Sequence, residues 1–273
     1  AHNWQAMSID LEAGLAYIPT QENPFFYAIQ EDYKKTGVFK WTPGQWNMGI
    51  EMSSLAQNIL NNLESQPKPG GFLKAFDPLT GETKWSVPIP HYWNGGVLGT
   101  AGGLVFQGDA LGMFSAYDKE TGERLWEFNT YTSMLAPPIT FEIDGEQYVS
   151  ILTGSGGGDL FGGEPLPPIE IQASLTYNNF GRLLVFKLGG KETLPIPNVR
   201  DKTIPEQQLM QVSIDQLQDG ESKYNQNCAV CHGFVVKSAG GIPDLRKMTA
   251  GTHDAFNQIV LEGLLASNGM ASF

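Results

Sequence analysis

The sequence predicts a mainly β protein, with blades of a partial β-propeller followed by a small all-α domain. Glycine supplies 32 of the 273 residues, proline 17 and aromatic residues 11%, a composition that favours many short strands and tight turns over long helices. A strand-rich segment occurs twice along the chain, which is the mark of a repeat architecture. Near the C-terminal end, helical periodicity surrounds two cysteines that lie three residues apart.

The charge balance excludes a nucleic-acid partner, and the hydropathy excludes a transmembrane segment. Lys and Arg total 17 against 29 Asp and Glu, which gives a formal net charge of −12 at pH 7. Nucleic-acid binding relies on cationic side chains that neutralise phosphates, so we expect no nucleic-acid partner. No run of about 18 consecutive apolar residues is present, so the sequence predicts no transmembrane segment.

The strand-rich repeat predicts β-hairpins. Gly71–Trp85 aligns with Gly112–Trp126 at an offset of 41 residues (112 − 71). Each copy alternates as a strand, turns at Asp-x-x-Thr-Gly and resumes as a strand that ends in tryptophan. A weaker hairpin is predicted at Met7–Pro19. A strand-only repeat of about 40 residues has the size of one four-stranded propeller blade.

Further strands complete the predicted blades. We expect Leu104–Gly108 and Tyr148–Leu152 to be outer strands, and residues 177–188 to be a last strand that closes the propeller. Trp85 and Trp126 are predicted to stack between blades rather than to bind a ligand. Two full blades and parts of two others cannot close a ring, because each blade buries its faces only against its neighbours. We therefore expect the chain to be an internal fragment with more blades upstream.

The two cysteines have the spacing of a c-type haem attachment site. Cys228 and Cys231 are followed directly by His232. Two thiols on one turn can reach the two vinyl groups of a porphyrin, and the histidine can ligate the iron. A zinc site would need a second ligand pair, and the other histidines do not lie beside a cysteine. A thioredoxin-like pair would be expected to open a helix after a strand, whereas polar residues 225–227 precede this motif.

Two amphipathic helices are predicted around the motif. The first enters it with Leu217, Gly220, Tyr224 and Cys228 on one face, and the second covers His253–Leu265. The stripe of the second helix consists of Phe256, Ile259, Val260 and Leu264.

Residues 213–273 resemble a class I cytochrome c domain without its final helix. The resemblance implies that Pro243 orients the proximal histidine and that Met270 is the sixth iron ligand. Met248 is the competing thioether, but it lies just before a predicted helix start, whereas Met270 follows the helix. Arg246 can pair with a haem propionate or remain a solvated surface residue. Ligation by histidine and methionine suits electron transfer rather than oxygen binding.

The tryptophan repeat resembles the docking motif of eight-bladed propellers that bind pyrroloquinoline quinone (PQQ). Together with the cytochrome-like region, the whole chain is similar to the quinohaemoprotein alcohol dehydrogenases. The resemblance also rests on His-Asn-Trp-x-x-Met at residues 2–7 and Tyr-Trp-Asn-Gly-Gly at residues 92–96. It implies that PQQ oxidises small alcohols to aldehydes, with Ca²⁺ polarising a quinone carbonyl and an aspartate acting as base. Electrons would then pass singly through haem c to an external acceptor, which is a cytochrome, a copper protein or a quinone.

The same resemblance assigns candidate PQQ contacts in this chain. Asn3 and Trp4 match residues of the family that approach the edge of the quinone from a late blade. Trp93 and Asn94 match residues that approach it from the next blade. The alternative for each pair is an ordinary structural role. The family's base aspartate, its calcium ligands and the tryptophan that lies under the quinone are expected upstream. No catalytic residue is therefore assigned in this chain. The glycine-rich segment Gly154–Gly158 has no helix pattern after it, which excludes a nucleotide-binding fingerprint.

The predicted domain order is propeller blades at 1–188, a linker at 189–212 and an incomplete cytochrome c domain at 213–273. Glycines and prolines without periodicity indicate the linker. Haem is attached to such motifs outside the bacterial cytoplasm, and the family is periplasmic, so we expect export directed by an upstream signal. Two other hypotheses remain: a non-catalytic propeller scaffold that carries an electron-transfer cytochrome, and a haem-dependent oxidoreductase whose propeller carries another cofactor.

Overall fold

The computed structural model describes residues 1–24, 27–42, 47–54, 58, 61–62, 64–65, 67–154, 171–178, 181–207, 210–233, 236–238 and 242–273. The chain forms two compact units. The first contains Ala1–Pro24 and the described residues between 67 and 201, and the second contains those between 25 and 66 and from Lys202 onward. The second unit thus includes a segment from the region that the sequence analysis placed with the propeller blades.

The first unit consists of three antiparallel sheets, which confirms the mainly β prediction for this region. In the first sheet the strand order is β1 (Ser8–Asp10), β2 (Leu15–Glu22), β3 (Gly70–Phe76) and β4 (Thr83–Ile89). The second contains, in order, β5 (Asn94–Gly99), β6 (Leu104–Asp109), β7 (Met113–Asp118) and β8 (Arg124–Asn129). The third contains β9 (Ile139–Ile143), β10 (Glu146–Thr153) and β11 (Arg182–Lys187).

The two predicted repeat hairpins are confirmed as β3–β4 and β7–β8. In each turn an aspartate side chain accepts hydrogen bonds from two backbone N–H groups, at 2.9 and 3.2 Å for Asp77 and at 2.9 Å for both bonds to Asp118. These bonds lower the pKa of both carboxyl groups. Gly81 and Gly122 then adopt φ values of +79° and +75°, which a residue without a Cβ accepts most readily.

The predicted positions of two strands within their sheets are wrong. Leu104–Gly108 forms most of β6, but β6 lies between β5 and β7. Tyr148–Leu152 lies within β10, which is the middle strand of the third sheet. Both strands belong to successive antiparallel connections, so they pair on two sides and cannot lie at an outer edge. The weaker hairpin at Met7–Pro19 is confirmed as β1–β2.

Trp85 joins the first sheet to the second, as predicted. Its ring stacks on Tyr17 with centroids 5.8 Å apart. Its indole Nε1 donates to the carbonyl oxygen of Lys119 at 3.0 Å, and the hydroxyl of Tyr17 donates to the same oxygen at 3.2 Å. The carboxylate of Asp10 pairs with the ammonium of Lys119 at 2.9 Å. Burial of the apolar residues of both sheets in one core stabilises this junction.

Trp126 makes the equivalent junction between the second and third sheets. Its ring contacts Phe114 of β7 and Phe186 of β11 in edge-on geometry, with centroids 5.8 and 5.4 Å apart. Phe114 and Ile151 are fully buried in the shared core. The predicted last strand is present as β11, and its opposite face exposes Leu183 and Val185.

Among the residues that the structure describes, the α-helices with defined bounds are short except for one. They are α1 (Glu31–Thr36), α2 (Ala173–Thr176), α3 (Ile214–Asn227), α4 (Ala229–His232), α5 (Ala250–Asp254) and α6 (Phe256–Val260). The helix predicted before the cysteine motif is confirmed as α3, which begins with a capping box between Ser213 and Gln216. No helix in the described part of the chain is both long and apolar enough to cross a membrane.

The single helix predicted at His253–Leu265 is wrong. The backbone leaves the helical region at Ala255, where ψ is 6°, and this residue separates α5 from α6. Gly263, with φ +73°, then ends any continuation towards residue 265. Phe256 and Leu264 of the predicted stripe are exposed, and Leu264 lies beyond the end of α6.

Part of the predicted linker lies against the first unit. Tyr177 and Val199 form an isolated antiparallel bridge. The backbone N–H of Arg200 donates to Thr176 at 3.0 Å, and its guanidinium donates to the carbonyl oxygen of Ser174 at 3.0 Å. The segment up to Asp201 is therefore attached to the β unit, and the remainder belongs to the second unit.

The contact between Trp85 and the turn that contains Gly122 predicts that two glycine-to-alanine variants lose different amounts of stability. A Cβ at Gly122 would lie 2.8 Å from the Trp85 ring, whereas a Cβ at Gly81 would meet nothing within 4 Å. Both variants to alanine suffer the left-handed backbone penalty, on the order of 1 kcal/mol. We expect Gly122→Ala to lose about 1–3 kcal/mol more because of overpacking. Urea unfolding of both variants measures this difference, and equal losses would contradict the junction.

Candidate functional site

The cysteine motif lies at the end of α3 and along α4. The N–H of Cys228 donates to Tyr224 at 2.8 Å, and the N–H groups of Cys231 and His232 donate back to the carbonyl oxygen of Cys228 at 3.1 and 2.9 Å. Both cysteines are partly buried and are not in a disulfide. Burial raises the pKa of both thiols. The helical turn therefore presents the two sulfur atoms and the histidine from one continuous segment.

His232 is held by one backbone acceptor. The imidazole is buried, and its Nδ1 lies 2.9 Å from the carbonyl oxygen of Pro243. A carbonyl can only accept, so Nδ1 carries the proton and Nε2 keeps its lone pair. A backbone carbonyl that accepts from one ring nitrogen in this way fixes the tautomer whose other nitrogen can ligate a metal. The structure thus contains the contact that the cytochrome resemblance implied for Pro243, and the donor set fits a haem.

The segment around Ser53, which lies 172 positions before Asn225, contacts α3 within the second unit. Asn225 is buried, and its amide donates to the carbonyl oxygen of Ser53 at 3.2 Å. Ile50 and Met52 beside it are also buried. Sequence analysis missed this support. The signal in the sequence was the polar Asn225, three residues before Cys228.

The two thioether candidates have similar exposure. Met270 follows a short 3₁₀ helix at Ala266–Asn268, and Met248 follows another at Leu245–Lys247. Both side chains are half-buried, so burial does not separate them. Met270 as the sixth ligand stays a prediction.

Arg246 is not a simple solvated arginine. Its guanidinium binds Asp244 through two parallel bonds, Nε to Oδ1 at 3.0 Å and Nη2 to Oδ2 at 2.6 Å. Such a bidentate pair fixes the plane of the guanidinium. The propionate contact considered for this residue stays a prediction.

The structure brings the two predicted quinone-contact segments together. The N–H of Val97 donates to Ala6 and the N–H of Gly99 to the hydroxyl of Ser8, both at 2.9 Å. These bonds place β1 and β5, the first strands of neighbouring sheets, side by side in the same direction. The residues before each strand consequently meet at one end, where the rings of Trp4 and Trp93 have centroids 6.4 Å apart.

The four predicted contacts differ in how they are held. Asn3 accepts from the N–H of Trp4 at 3.0 Å and is exposed, and 57% of the Trp4 side chain is exposed. Trp93 is half-buried. Asn94 is fully buried, and its amide nitrogen donates to the carbonyl oxygen of Thr20 at 3.0 Å. Its Oδ1 has no partner among the described residues.

Three further buried polar residues lie near these segments, and sequence analysis did not assign them. Gln5 follows Trp4 and is buried, with neither amide atom paired within the described part of the chain. His91 is fully buried, and burial lowers its pKa to about 4. Asp109 pairs with Asn94 across the β5–β6 ladder, and burial raises its pKa to about 6 despite backbone donors such as Met113. Gln5 occupies an unspecified position of the motif at residues 2–7, and Asp109 lies in no motif. The sequence analysis noted His91 only as one of the histidines without a neighbouring cysteine.

Comparison with known proteins found a matching family for a region in each half of the chain. The family described as "Glucose/ethanol/alcohol dehydrogenase, beta-propeller domain" matches residues 87–149, and "Cytochrome C oxidase, cbb3-type, subunit III" matches residues 215–273. The quinohemoprotein alcohol dehydrogenase ADH IIB of Pseudomonas putida is 40% identical over 280 residues, which cover 100% of this chain and 37% of that protein.

Two solved structures have the same fold over the whole chain. The quinohemoprotein alcohol dehydrogenase ADHIIG of Pseudomonas putida HK5 matches with a TM-score of 0.79 at 32% identity, over 100% of this chain and 38% of that one. The quinohemoprotein alcohol dehydrogenase of Comamonas testosteroni matches with a TM-score of 0.72 at 31% identity, with the same coverage. The chain therefore spans little more than a third of the length of these relatives.

The chain thus combines propeller-type sheets joined through tryptophans with a cysteine pair that is followed by an oriented histidine. Over its full length the chain is similar to part of these quinohaemoprotein alcohol dehydrogenases.

The buried imidazole predicts a loss of stability in mild acid. The pKa of His91 is about 4 in the folded protein and 6.5 in the reference state. Below pH 6.5 the unfolded chain therefore binds a proton that the folded chain does not. Folding stability then falls as the pH decreases towards 4, by up to about 3 kcal/mol. Urea unfolding between pH 7 and pH 4 measures this slope. We expect His91→Asn to reduce it, and an unchanged slope would contradict the assignment.

The buried carboxyl group predicts the opposite slope. The pKa of Asp109 is about 6 when folded and 3.8 in the reference state. Between these values the unfolded chain loses a proton that the folded chain keeps, so the contribution falls as pH rises from 3.8 through 6. Asp109→Asn keeps an acceptor for the Met113 N–H. It should stabilise the protein at pH 7 by up to about 3 kcal/mol, with little gain at pH 3.5. A gain independent of pH would refute this explanation.

Proposed function

We infer that this chain is part of a PQQ- and haem c-dependent alcohol dehydrogenase that oxidises primary or other small alcohols to aldehydes. Electrons then pass through the covalent haem to an external acceptor. The observation that carries the proposal is the combination, in one chain, of tryptophan-joined propeller sheets with a thiol pair whose histidine has its Nδ1 bonded to Pro243. The relatives that share the full length of this chain support it.

The proposed haem site uses four side chains of the second unit. Cys228 and Cys231 attach the porphyrin, His232 ligates the iron through Nε2 and Met270 supplies the sixth ligand. When bound, the haem provides one-electron transfer. The carbonyl of Pro243 holds the proton of His232 on Nδ1, which keeps Nε2 directed at a metal. Ligation by both His232 and Met270 would suit electron transfer rather than oxygen binding.

The proposed quinone site uses the meeting point of β1 and β5. Trp4 and Trp93 would form an aromatic wall, with Asn3 and Asn94 offering amide groups to the quinone oxygens and carboxylates. When bound, PQQ accepts the two electrons of alcohol oxidation. Within the described residues there is no cluster of three or more His, Cys, Asp or Glu side chains. We propose that calcium, its ligands and the aspartate base belong to other blades of an eight-bladed ring, as the family resemblance implies.

The remaining features of the proposal concern the setting of the enzyme. We propose propeller blades at 1–188, a linker at 189–212 and a cytochrome c domain at 213–273. The acceptor is a cytochrome, a copper protein or a quinone. We place the enzyme in the bacterial periplasm, because covalent haem attachment occurs outside the cytoplasm.

Rapid mixing of the full-length protein with a primary alcohol tests the proposed function. The protein is produced in a haem-loading host and supplied with PQQ and Ca²⁺. The haem absorbance should then change to that of the reduced form on addition of 1-butanol, and only when PQQ is present. A scaffold without catalysis would show haem that dithionite reduces and the alcohol does not. That outcome would overturn the proposal.

Two methionine variants test the sixth ligand. Thioether ligation raises the reduction potential of a haem iron. Met270→Leu should therefore lower the potential and change the ligand-field absorbance of the oxidised haem, while haem attachment remains intact. Met248→Leu is the matched control, since it removes a thioether of similar burial. Potentiometric titration of both variants measures the effect. A lowered potential in the Met248 variant alone would show that the ligand is the other thioether.

A further inference from the structure

We propose that His91 is a positioning residue of the quinone site: its neutral imidazole holds the Trp93–Asn94 segment beside Trp4 through a single backbone hydrogen bond. This inference rests on the proposed function, because Trp93 and Asn94 matter here as quinone contacts.

The bond joins the backbone N–H of Trp93 to Nδ1 of His91 at 2.9 Å. The acceptor belongs to the residue two positions before the donor. This is the arrangement of an Asx turn, in which the side chain of an asparagine or aspartate accepts from the N–H two residues on. The imidazole therefore acts as a substitute for an asparagine and curls the chain immediately before β5.

The bond determines the tautomer of His91. A backbone N–H can only donate, so Nδ1 must be unprotonated and the proton must reside on Nε2. The side chain is fully buried, and Nε2 has no partner within the part of the chain that the structure describes. Burial also keeps the ring neutral, since it lowers the pKa to about 4. The one paired polar atom of the ring is thus the acceptor for Trp93.

Two other contacts hold the same segment and leave it little room. A Cβ at Gly71 of β3 would lie 2.3 Å from the carbonyl oxygen of His91 and 2.9 Å from the amide nitrogen of Asn94. The backbone of β3 therefore presses directly against this turn. The rings of His91 and Tyr92 also stack, with centroids 4.6 Å apart. Because packing already restricts the turn, the one bond from the Trp93 N–H to His91 can hold it in place.

The position of Trp93 depends on this turn. Its ring lies 5.7 Å from Tyr92 and 6.4 Å from Trp4, measured between centroids. Loss of the acceptor would leave the partly buried Trp93 N–H unpaired, and the chain would relieve this by moving the backbone towards water. That movement would carry Trp93 away from Trp4 and turn Asn94 at the start of β5. His91 touches neither substrate nor cofactor in this account and acts through Trp93.

Substitutions at His91 distinguish a hydrogen-bonding role from a packing role. The Oδ1 of asparagine occupies nearly the same place as Nδ1 of histidine, so His91→Asn keeps the acceptor but loses volume. His91→Leu keeps most of the volume but removes the acceptor. A positioning role predicts that the asparagine variant is the milder one, whereas a packing role predicts the reverse order.

The first measurement does not need the quinone. Hydrogen exchange of the full-length protein, read by mass spectrometry, reports protection of the Trp93 amide in peptides that cover residues 92–98. We expect His91→Asn to retain the protection and His91→Leu to lose it, with exchange about tenfold faster. Equal protection in both variants would refute the inference.

The second measurement is the affinity for PQQ, followed by quenching of tryptophan fluorescence in the same full-length proteins. The leucine variant should bind PQQ about tenfold more weakly, and the asparagine variant within about threefold of the unsubstituted protein. His253→Leu, which removes a histidine in the second unit, is the control and should bind normally. If the unsubstituted protein binds no PQQ, the proposed function fails. If it binds PQQ and the two His91 variants match it, only the role of His91 fails.

Discussion

The junction at Trp85 is the contact on which the arrangement of the first unit depends. One carbonyl oxygen, that of Lys119, accepts from both the Trp85 indole and the Tyr17 hydroxyl, and the Lys119 ammonium pairs with Asp10. A tryptophan can fill this space only because Gly122 has no side chain. The junction stabilises the packing of the first two sheets, and the bonds from Val97 and Gly99 place β1 and β5 side by side. The candidate quinone contacts, which are about 90 residues apart in sequence, meet for that reason.

Two buried histidines show how the backbone selects a tautomer. At His232 a carbonyl accepts from Nδ1, which leaves the lone pair of Nε2 available for a metal. At His91 an N–H donates to Nδ1, which places the proton on Nε2 and makes the ring an acceptor for the main chain. The same side chain is therefore a proposed ligand in one unit and a structural acceptor in the other. The neighbouring backbone group makes the difference.

Local patterns predicted much of the fold, and long-range packing accounts for what they missed. The Asp-x-x-Thr-Gly hairpins and helix α3 were predicted because their turn bonds and cap involve residues within a few positions of each other. The single helix at 253–265 was wrong, since its periodicity did not reveal the break at Ala255. The edge positions given to Leu104–Gly108 and Tyr148–Leu152 were also wrong, because strand order depends on partners outside each segment.

The sequence by itself predicted the chemistry: two thiols and a histidine in one turn indicate a porphyrin attachment site, and the repeated tryptophan turn indicates a propeller-type blade. Both signals are local, so they need no knowledge of the rest of the chain. Only the tertiary structure decided which side chains meet, including Trp4 with Trp93 and Ser53 with Asn225. It also decided that His91 is neutral and buried. Burial and tautomer depend on the atoms that surround a group, and those atoms come from distant parts of the chain.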